Sequence, residues 1–385
     1  MASLYVHVPF CRQRCSYCDF YFVTGQRLYG SFVQSLCTEI EYYGQLYGKI
    51  EPVTTLYFGG GTPSRLALEE VARILEALYR HFDLSEVTEV TFEVNPEDAT
   101  LDYLRGLRHL GINRLSIGVQ SFYEADLRFM HRAHTADQAE AAITNALRAG
   151  FENLNVDLIF GLPDQPIEYW MANLQKVADR GIPHLSTYSL TIEPGTILAK
   201  QVARGLTRPA DEATYTACYD FAMDYLTDRG YEHYEISNFA RPGYRSRHNQ
   251  AYWQHANYIG FGPSAHSFWW GALPEPGAYR WANVRNLRRY EALLAQHHLP
   301  LEFREGLSYD QLAEEYLLLR LRTAEGLNLD DYAERYGVDL LSEKLDDLAA
   351  LEAEGLIEPI RNGTLRLSRK GKHVCDAITA RLLPS

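Results

Sequence analysis

The sequence predicts an α/β protein built on a partial (β/α)6 TIM-like barrel, open rather than closed, with a small C-terminal winged-helix-like α/β domain. Three observations predict it. Short β-branched or aromatic runs alternate with helical stretches six times between residues 4 and 192. One face of those runs is repeatedly small or polar. From Tyr309 onward the order becomes helix, helix, helix, hairpin, helix.

The strand candidates are Leu4–Val8, Thr54–Phe58, Val87–Asn95, Arg114–Gln120, Asn153–Phe160 and His184–Ile192, with helical periodicity in Ser64–His81 and Ala136–Gly150. Repeated strand–helix units imply a parallel sheet. Its faces are distinct. Tyr5 and His7 oppose Leu4, Val6 and Val8. Thr91, Glu93 and Asn95 oppose Val90, Phe92 and Val94. Ser116, Gly118 and Gln120 oppose Leu115, Ile117 and Val119, and Asn155 and Asp157 oppose Val156, Leu158 and Phe160. A doubly wound sheet would carry near-continuous apolar strands. A closed eight-stranded barrel would fill its lumen with bulky branched residues. A curved sheet whose concave side holds a polar ligand fits better.

Asp211–Arg229 reads as a helix, whereas the aromatic, glycine-rich stretch Tyr231–Trp281 fits no simple element. Asn362-Gly363 marks the turn of the late hairpin. The domains are therefore expected at 1–200 (barrel), 201–300 (extension) and 301–385 (winged-helix-like). Such a domain often binds DNA, but Leu341–Glu354 sets Glu343, Asp346, Asp347, Glu352 and Glu354 against Lys344 alone. Phosphates would repel it, so a structural or lid element is expected.

Composition agrees. A chain of 385 residues, 46% hydrophobic and 23% charged, supports one large domain with a smaller companion. The formal net charge of -13 argues against a nucleic-acid partner. The opening MASLYVHVPF lacks the basic and apolar regions of a signal peptide, and no apolar run is long enough to span a membrane. A cytoplasmic location is expected. Six cysteines are too few for a disulfide framework, and three of them crowd into Cys11–Cys18.

CRQRCSYC spaces Cys11, Cys15 and Cys18 as C-x3-C-x2-C directly after the first strand. Such a loop can wrap one corner of a 4Fe-4S cubane, one thiolate per iron. The fourth iron is left open for the amino and carboxylate groups of S-adenosylmethionine. One electron from the cluster then breaks the sulfonium bond and releases a 5′-deoxyadenosyl radical. The competing reading is a Cys3His zinc site using His7 or a distant histidine. Zinc ligands usually come as two pairs, and no second pair exists here. Gly59–Gly61 follow the second strand, where backbone groups can approach a ligand closely. Glu93, near the end of the third strand, can accept bonds from ribose hydroxyls or an amino group.

Tyr5-Val6-His7-Val8-Pro9-Phe10-Cys11, with the cysteine motif, resembles the oxygen-independent coproporphyrinogen dehydrogenase family of radical S-adenosylmethionine proteins. The resemblance continues through Gly59-Gly60-Gly61-Thr62-Pro63, Phe92-Glu93, Gly118-Val119-Gln120-Ser121-Phe122 and Asn155-Val156-Asp157-Leu158-Ile159-Phe160-Gly161-Leu162-Pro163. It covers most of residues 4–270. It implies cofactor contacts from Gly60, Gly61, Thr62, Glu93, Gln120, Arg132 and Asp157, with Arg132 offering a fork to the methionine carboxylate. It further implies Tyr17 against adenine and Tyr5 near the cluster side of the cofactor.

The dehydrogenases of this family continue the motif to a fourth cysteine, where this sequence has Phe20, and carry a segment before the first strand that is absent ahead of Tyr5. Both departures resemble the HemW-type haem chaperone branch. His248-Asn249-Gln250-Ala251-Tyr252-Trp253 is similar to that branch's HN-x-x-YW signature. The resemblance implies a candidate haem ligand in His248, with Asn249, Tyr252 and Trp253 as candidate contacts, and His255 and His266 as further candidates. The expected function is a chaperone that carries haem as cargo to an apo-haemoprotein acceptor. Its electron donor would be flavodoxin or ferredoxin, and a homodimer is compatible with this reading. Reductive cleavage of S-adenosylmethionine is expected. Efficient oxidative decarboxylation of coproporphyrinogen III to protoporphyrinogen IX is the alternative, and radical chemistry on another substrate the second alternative.

Overall fold

Six β/α units lay their strands side by side, as the alternation requires. The computed structural model describes residues 1–25, 28–271 and 277–383. Strands β1 (Ala2–Val8), β2 (Val53–Gly60), β3 (Glu89–Val94), β4 (Arg114–Gln120), β5 (Asn153–Phe160) and β6 (His184–Ser189) pair in sequence order, all parallel. Between them run α1 (Tyr29–Tyr47), α2 (Leu68–His81), α3 (Leu101–His109), α4 (Glu124–Phe129), α5 (Ala136–Arg148) and α6 (Ile167–Asp179). Local chemistry sets several of the helix starts. Thr100 and Thr135 cap α3 and α5 through their hydroxyls, and Gln138 completes a capping box at the second. Val6, Phe58, Phe92, Ile117, Val156 and Leu185 form the buried convex face under these helices. The opposite face is the polar one.

The stretch that fits no simple element in sequence becomes sheet. After α7 (Ile197–Ala203) and α8 (Glu212–Thr227) come β7 (Glu232–Glu235), β8 (Asn238–Ala240), α9 (Arg247–Trp253), β9 (Tyr258–Phe261), β10 (His266–Trp270) and β11 (Ala278–Asn283). These are followed by α10 (Leu287–Ala295) and β12 (Leu301–Leu307). The result is one twelve-stranded sheet in the order β12-β11-β10-β9-β1-β2-β3-β4-β5-β6-β8-β7. The β9 strand joins β1 in parallel, whereas β8 joins β6 antiparallel. The barrel is therefore extended at both edges rather than closed.

Glu39 of α1 ties the extension down. Its carboxylate accepts hydrogen bonds from Gly262 N (2.8 Å), Tyr290 Oη (2.6 Å) and Asn283 Nδ2 (2.6 Å). Burial pushes its carboxyl up to about 7 despite these donors.

The C-terminal unit comprises α11 (Tyr309–Leu321), β13 (Leu327–Asn328), α12 (Leu329–Tyr336), α13 (Leu340–Glu343), α14 (Leu345–Ala353), β14 (Thr364–Leu365), α15 (Arg369–Lys372) and α16 (Cys375–Leu382). Asn362 and Gly363 take φ of 52° and 66°, the left-handed pair that a two-residue hairpin turn requires. Phe268 and Ala278 of the extension share a core with α11. Arg369 bridges back to Asp220 (3.0 Å) and Asp224 on α8. No helix among the described residues is long and apolar enough to cross a membrane.

Candidate metal and cofactor site

The polar strand face lines a cavity of about 470 Å³. The lining comes from successive strands: Gly60 at the end of β2 with Gly61 just after it, Glu93 from β3 with Asn95 just after it, Ser116, Gly118 and Gln120 from β4, Asn155 and Asp157 from β5, Ser186 and Tyr188 from β6. Cys11, Cys15, Tyr17 and Cys18 line its mouth from the loop after β1. The three thiols are free and half-buried. Among the described residues, no three Cys, His, Asp or Glu side chains converge on one ion. A cubane asks for something different, since each thiolate holds its own iron.

The surroundings suit such a cluster. Burial pushes the thiols of Cys11 and Cys18 up, to about 12 and about 11. Bound metal would invert that by deprotonating them. Thr62 Oγ1 donates to Cys11 Sγ at 3.7 Å, and Arg132 Nη1 donates to Cys15 Sγ at 3.5 Å. The chain packs too closely here for a side chain at Gly60 or Gly61. Gly60 has φ 105°, and a Cβ there would lie 2.5 Å from the His7 ring, while one on Gly61 would lie 2.8 Å from the Val8 carbonyl.

Arg132 is only partly free to bind a carboxylate. Its Nη2 donates to Asn95 Oδ1 (2.8 Å) and the Gly118 carbonyl (3.0 Å), leaving the buried Nε without a partner among the described residues. Gln120 sits at a bulge in β4 with φ 63° and a buried Oε1 that has no partner among the described residues. Left-handed non-glycine residues and idle buried acceptors both concentrate at ligand-binding positions.

Glu93 accepts from Tyr57 Oη at 2.9 Å, and Asp157 accepts from Ser116 Oγ (3.0 Å) and Asn155 Nδ2 (2.8 Å). Burial, and then the like charge of Asp157, push the Glu93 carboxyl up to about 7. Glu93→Gln or Asp157→Asn should weaken S-adenosylmethionine binding by about 1.5–3 kcal/mol while leaving iron content unchanged. Ionised Glu93 is the better acceptor, so wild-type affinity should rise as pH climbs through about 7. Equilibrium titration at several pH values checks both; unchanged affinity in both variants would place the cofactor elsewhere.

Two expectations need correction. Tyr5 does not line the cavity; its ring lies against Tyr57 and His248 at centroid distances of 6.0 and 6.5 Å. His248 is 1% exposed, with both ring nitrogens engaged, Nδ1 with Thr55 Oγ1 (2.8 Å) and Nε2 with Tyr252 Oη (3.0 Å). Burial pushes it down to about 3. An imidazole so held has no lone pair free for haem iron.

The signature helix α9 instead plugs the barrel. Glu89, at the start of β3, accepts from the backbone N–H groups of Arg247 and His248 (3.0 Å each), and Thr55 passes its own hydrogen bond to Ser3 at the start of β1 (2.9 Å). Of the signature residues, Asn249 alone reaches the cavity lining. Trp253 stands outside it, under the Arg322 guanidinium at 5.6 Å. Arg114 is a lining residue that the motifs pass over. Its parity with Ser116 and Gln120 on β4 was the available signal.

Residues 5–177 match the model of the radical SAM superfamily, and residues 307–374 match that of the HemN C-terminal domain. The chain is 35% identical to the heme chaperone HemW of Lactococcus lactis subsp. lactis, over 97% of this chain and 93% of that protein. It is 34% identical to the heme chaperone HemW of Mycobacterium tuberculosis, over 99% and 94%. It is also 36% identical to the mitochondrial radical S-adenosyl methionine domain-containing protein 1 of Mus musculus, over 100% and 87%. Among solved structures, coproporphyrinogen III oxidase (HemN) of Escherichia coli superposes with a TM-score of 0.83 at 25% identity, covering 99% of this chain and 90% of that one.

Proposed function

Since this chain belongs to the family of the heme chaperone HemW within the radical SAM superfamily, we propose that it binds haem and passes it to apo-haemoproteins. Cys11, Cys15 and Cys18 would hold a 4Fe-4S cluster, and Gly60, Gly61, Thr62, Glu93, Gln120, Arg132 and Asp157 would seat S-adenosylmethionine beside it. When bound, the cluster supplies the single electron that cleaves the sulfonium. The protein's own part is to orient the cofactor, neutralise its carboxylate at Arg132 and accept its donors at Glu93 and Asp157. The exposed Arg14 on the cysteine loop suits an acidic electron donor such as flavodoxin or ferredoxin.

Phe20 is the observation that carries the chaperone reading. It stands where the dehydrogenases of the resemblance have a fourth cysteine, and it is 64% exposed on the cavity rim. Tyr188, 41% exposed, lines the same cavity. A ring in water next to a metal loop offers a flat macrocycle a face to pack on, where a thiol would offer a ligand. The fold match to coproporphyrinogen III oxidase favours oxidative decarboxylation as the second reading.

One pair of assays separates them. Cluster-loaded protein incubated with haem and an apo-haemoprotein should transfer the haem. With reductant, S-adenosylmethionine and coproporphyrinogen III, it should form no protoporphyrinogen IX at a useful rate. Robust protoporphyrinogen formation without haem transfer would overturn the chaperone reading.

A further inference from the structure

The inner end of the cavity carries a buried cation. Arg114 opens β4, lines the cavity and is 2% exposed. Its Nε has no hydrogen-bond partner among the described residues. Thr91, its register partner on β3, is fully buried, and its Oγ1 is equally without a partner. The two cavity carboxylates whose charge reaches Arg114 are satisfied by neutral donors, Glu93 by Tyr57, and Asp157 by Ser116 and Asn155. Desolvating a guanidinium is costly unless an anion meets its donors. Glu93 and Asp157 balance its charge through space but leave its donors idle.

Arg132 serves the opposite end. Its guanidinium contacts Cys15 and the carbonyl of Gly118, four residues further along β4. At the rise of a strand, that is about 13 Å from Arg114. One methionine carboxylate engaged at Arg132 therefore leaves the donors of Arg114 without an acceptor. Asn249 of α9 lines the same cavity and brings a carboxamide to it.

We propose that the cavity floor is a second binding subsite, separate from that of S-adenosylmethionine, which takes the carboxylate of a small ligand on the fork of Arg114, with Asn249 beside it. A carboxylate matches the guanidinium fork in bidentate geometry. A phosphate would bring more negative charge than a carboxylate beside Glu93 and Asp157. The subsite does not depend on haem delivery, so the two readings stand or fall apart.

The test is a calorimetric titration of the cluster-loaded protein saturated with S-adenosylmethionine. Propionate is the probe, and propionamide its neutral counterpart. Propionate should saturate a single site and bind at least ten-fold more tightly than propionamide. Arg114→Gln should weaken propionate at least ten-fold, with iron content and circular dichroism unchanged. No saturable binding, equal affinity for the two probes, or mutual displacement of propionate and S-adenosylmethionine would each overturn the proposal. Should Arg114→Gln fail to fold, the two probes compared on the unaltered protein decide it.

Discussion

Alanine in place of Cys11, Cys15 or Cys18 is expected to abolish the cluster, taking reconstituted iron from about four per chain to near zero, with loss of the brown colour. Among the described residues the three thiols are the only cysteines lining the cavity, and each is needed for its own iron. Thr62 and Arg132 touch the sulfurs as hydrogen-bond donors; a neutral hydroxyl is a poor iron ligand and a guanidinium has no lone pair to give, so neither can substitute. The other cysteines lie elsewhere. Cys37 on α1 faces the Arg73 carbonyl at 3.9 Å, Cys218 is buried in α8 and Cys375 in α16. Their alanine variants should keep full iron. Iron analysis after anaerobic reconstitution checks all six, and an intact cluster in Cys15→Ala would refute the assignment.

His248→Ala is expected to destabilise the fold by roughly 2–4 kcal/mol, because it strips partners from two hydroxyls and empties a packed site. Thr55 and Tyr252 lose their contacts to the imidazole, and Tyr57, whose ring centroid lies 5.0 Å away, loses its neighbour. Since Tyr57 also donates to Glu93, S-adenosylmethionine affinity should fall with stability while iron content holds. Acidity supplies an independent readout. The folded-state value of about 3 lies below the ordinary 6.5, so the neutral ring contributes stability above about pH 6.5 that is lost as pH falls toward 3. The variant should lose that share of the acid sensitivity. Unchanged stability together with abolished haem binding would return His248 to the role of an accessible ligand.

The six β/α units were legible because each is local: a short run, a turn, an amphipathic helix. The polar concave face was legible from parity alone, since Glu93, Ser116, Asn155 and Asp157 alternate with apolar partners that the core requires. The hairpin at Asn362-Gly363 was legible from its turn chemistry. The extension over residues 231–283 was not. Its strands are as short as three and four residues, and β8 and β9 find their partners on β6 and β1, at the two edges of a sheet formed earlier in the chain. No local pattern encodes such a pairing. His248 misled for a related reason. Its partners are hydroxyls on a distant strand and on its own helix, and a histidine satisfied by hydroxyls reads in sequence much like one waiting for a metal.

The plug also has a place in time. Thr55 and His248 are separated by 193 residues, and Glu89 and Arg247 by 158. A growing chain therefore completes all six barrel strands before the segment that seals them exists. Until α9 emerges, Glu89 has no helix end to cap and Thr55 has no imidazole to bond. Long-range contacts of this kind form late, after loop-closure entropy has been overcome. The wall that α9 contributes to the cavity is thus a property of the finished chain and not of the nascent barrel.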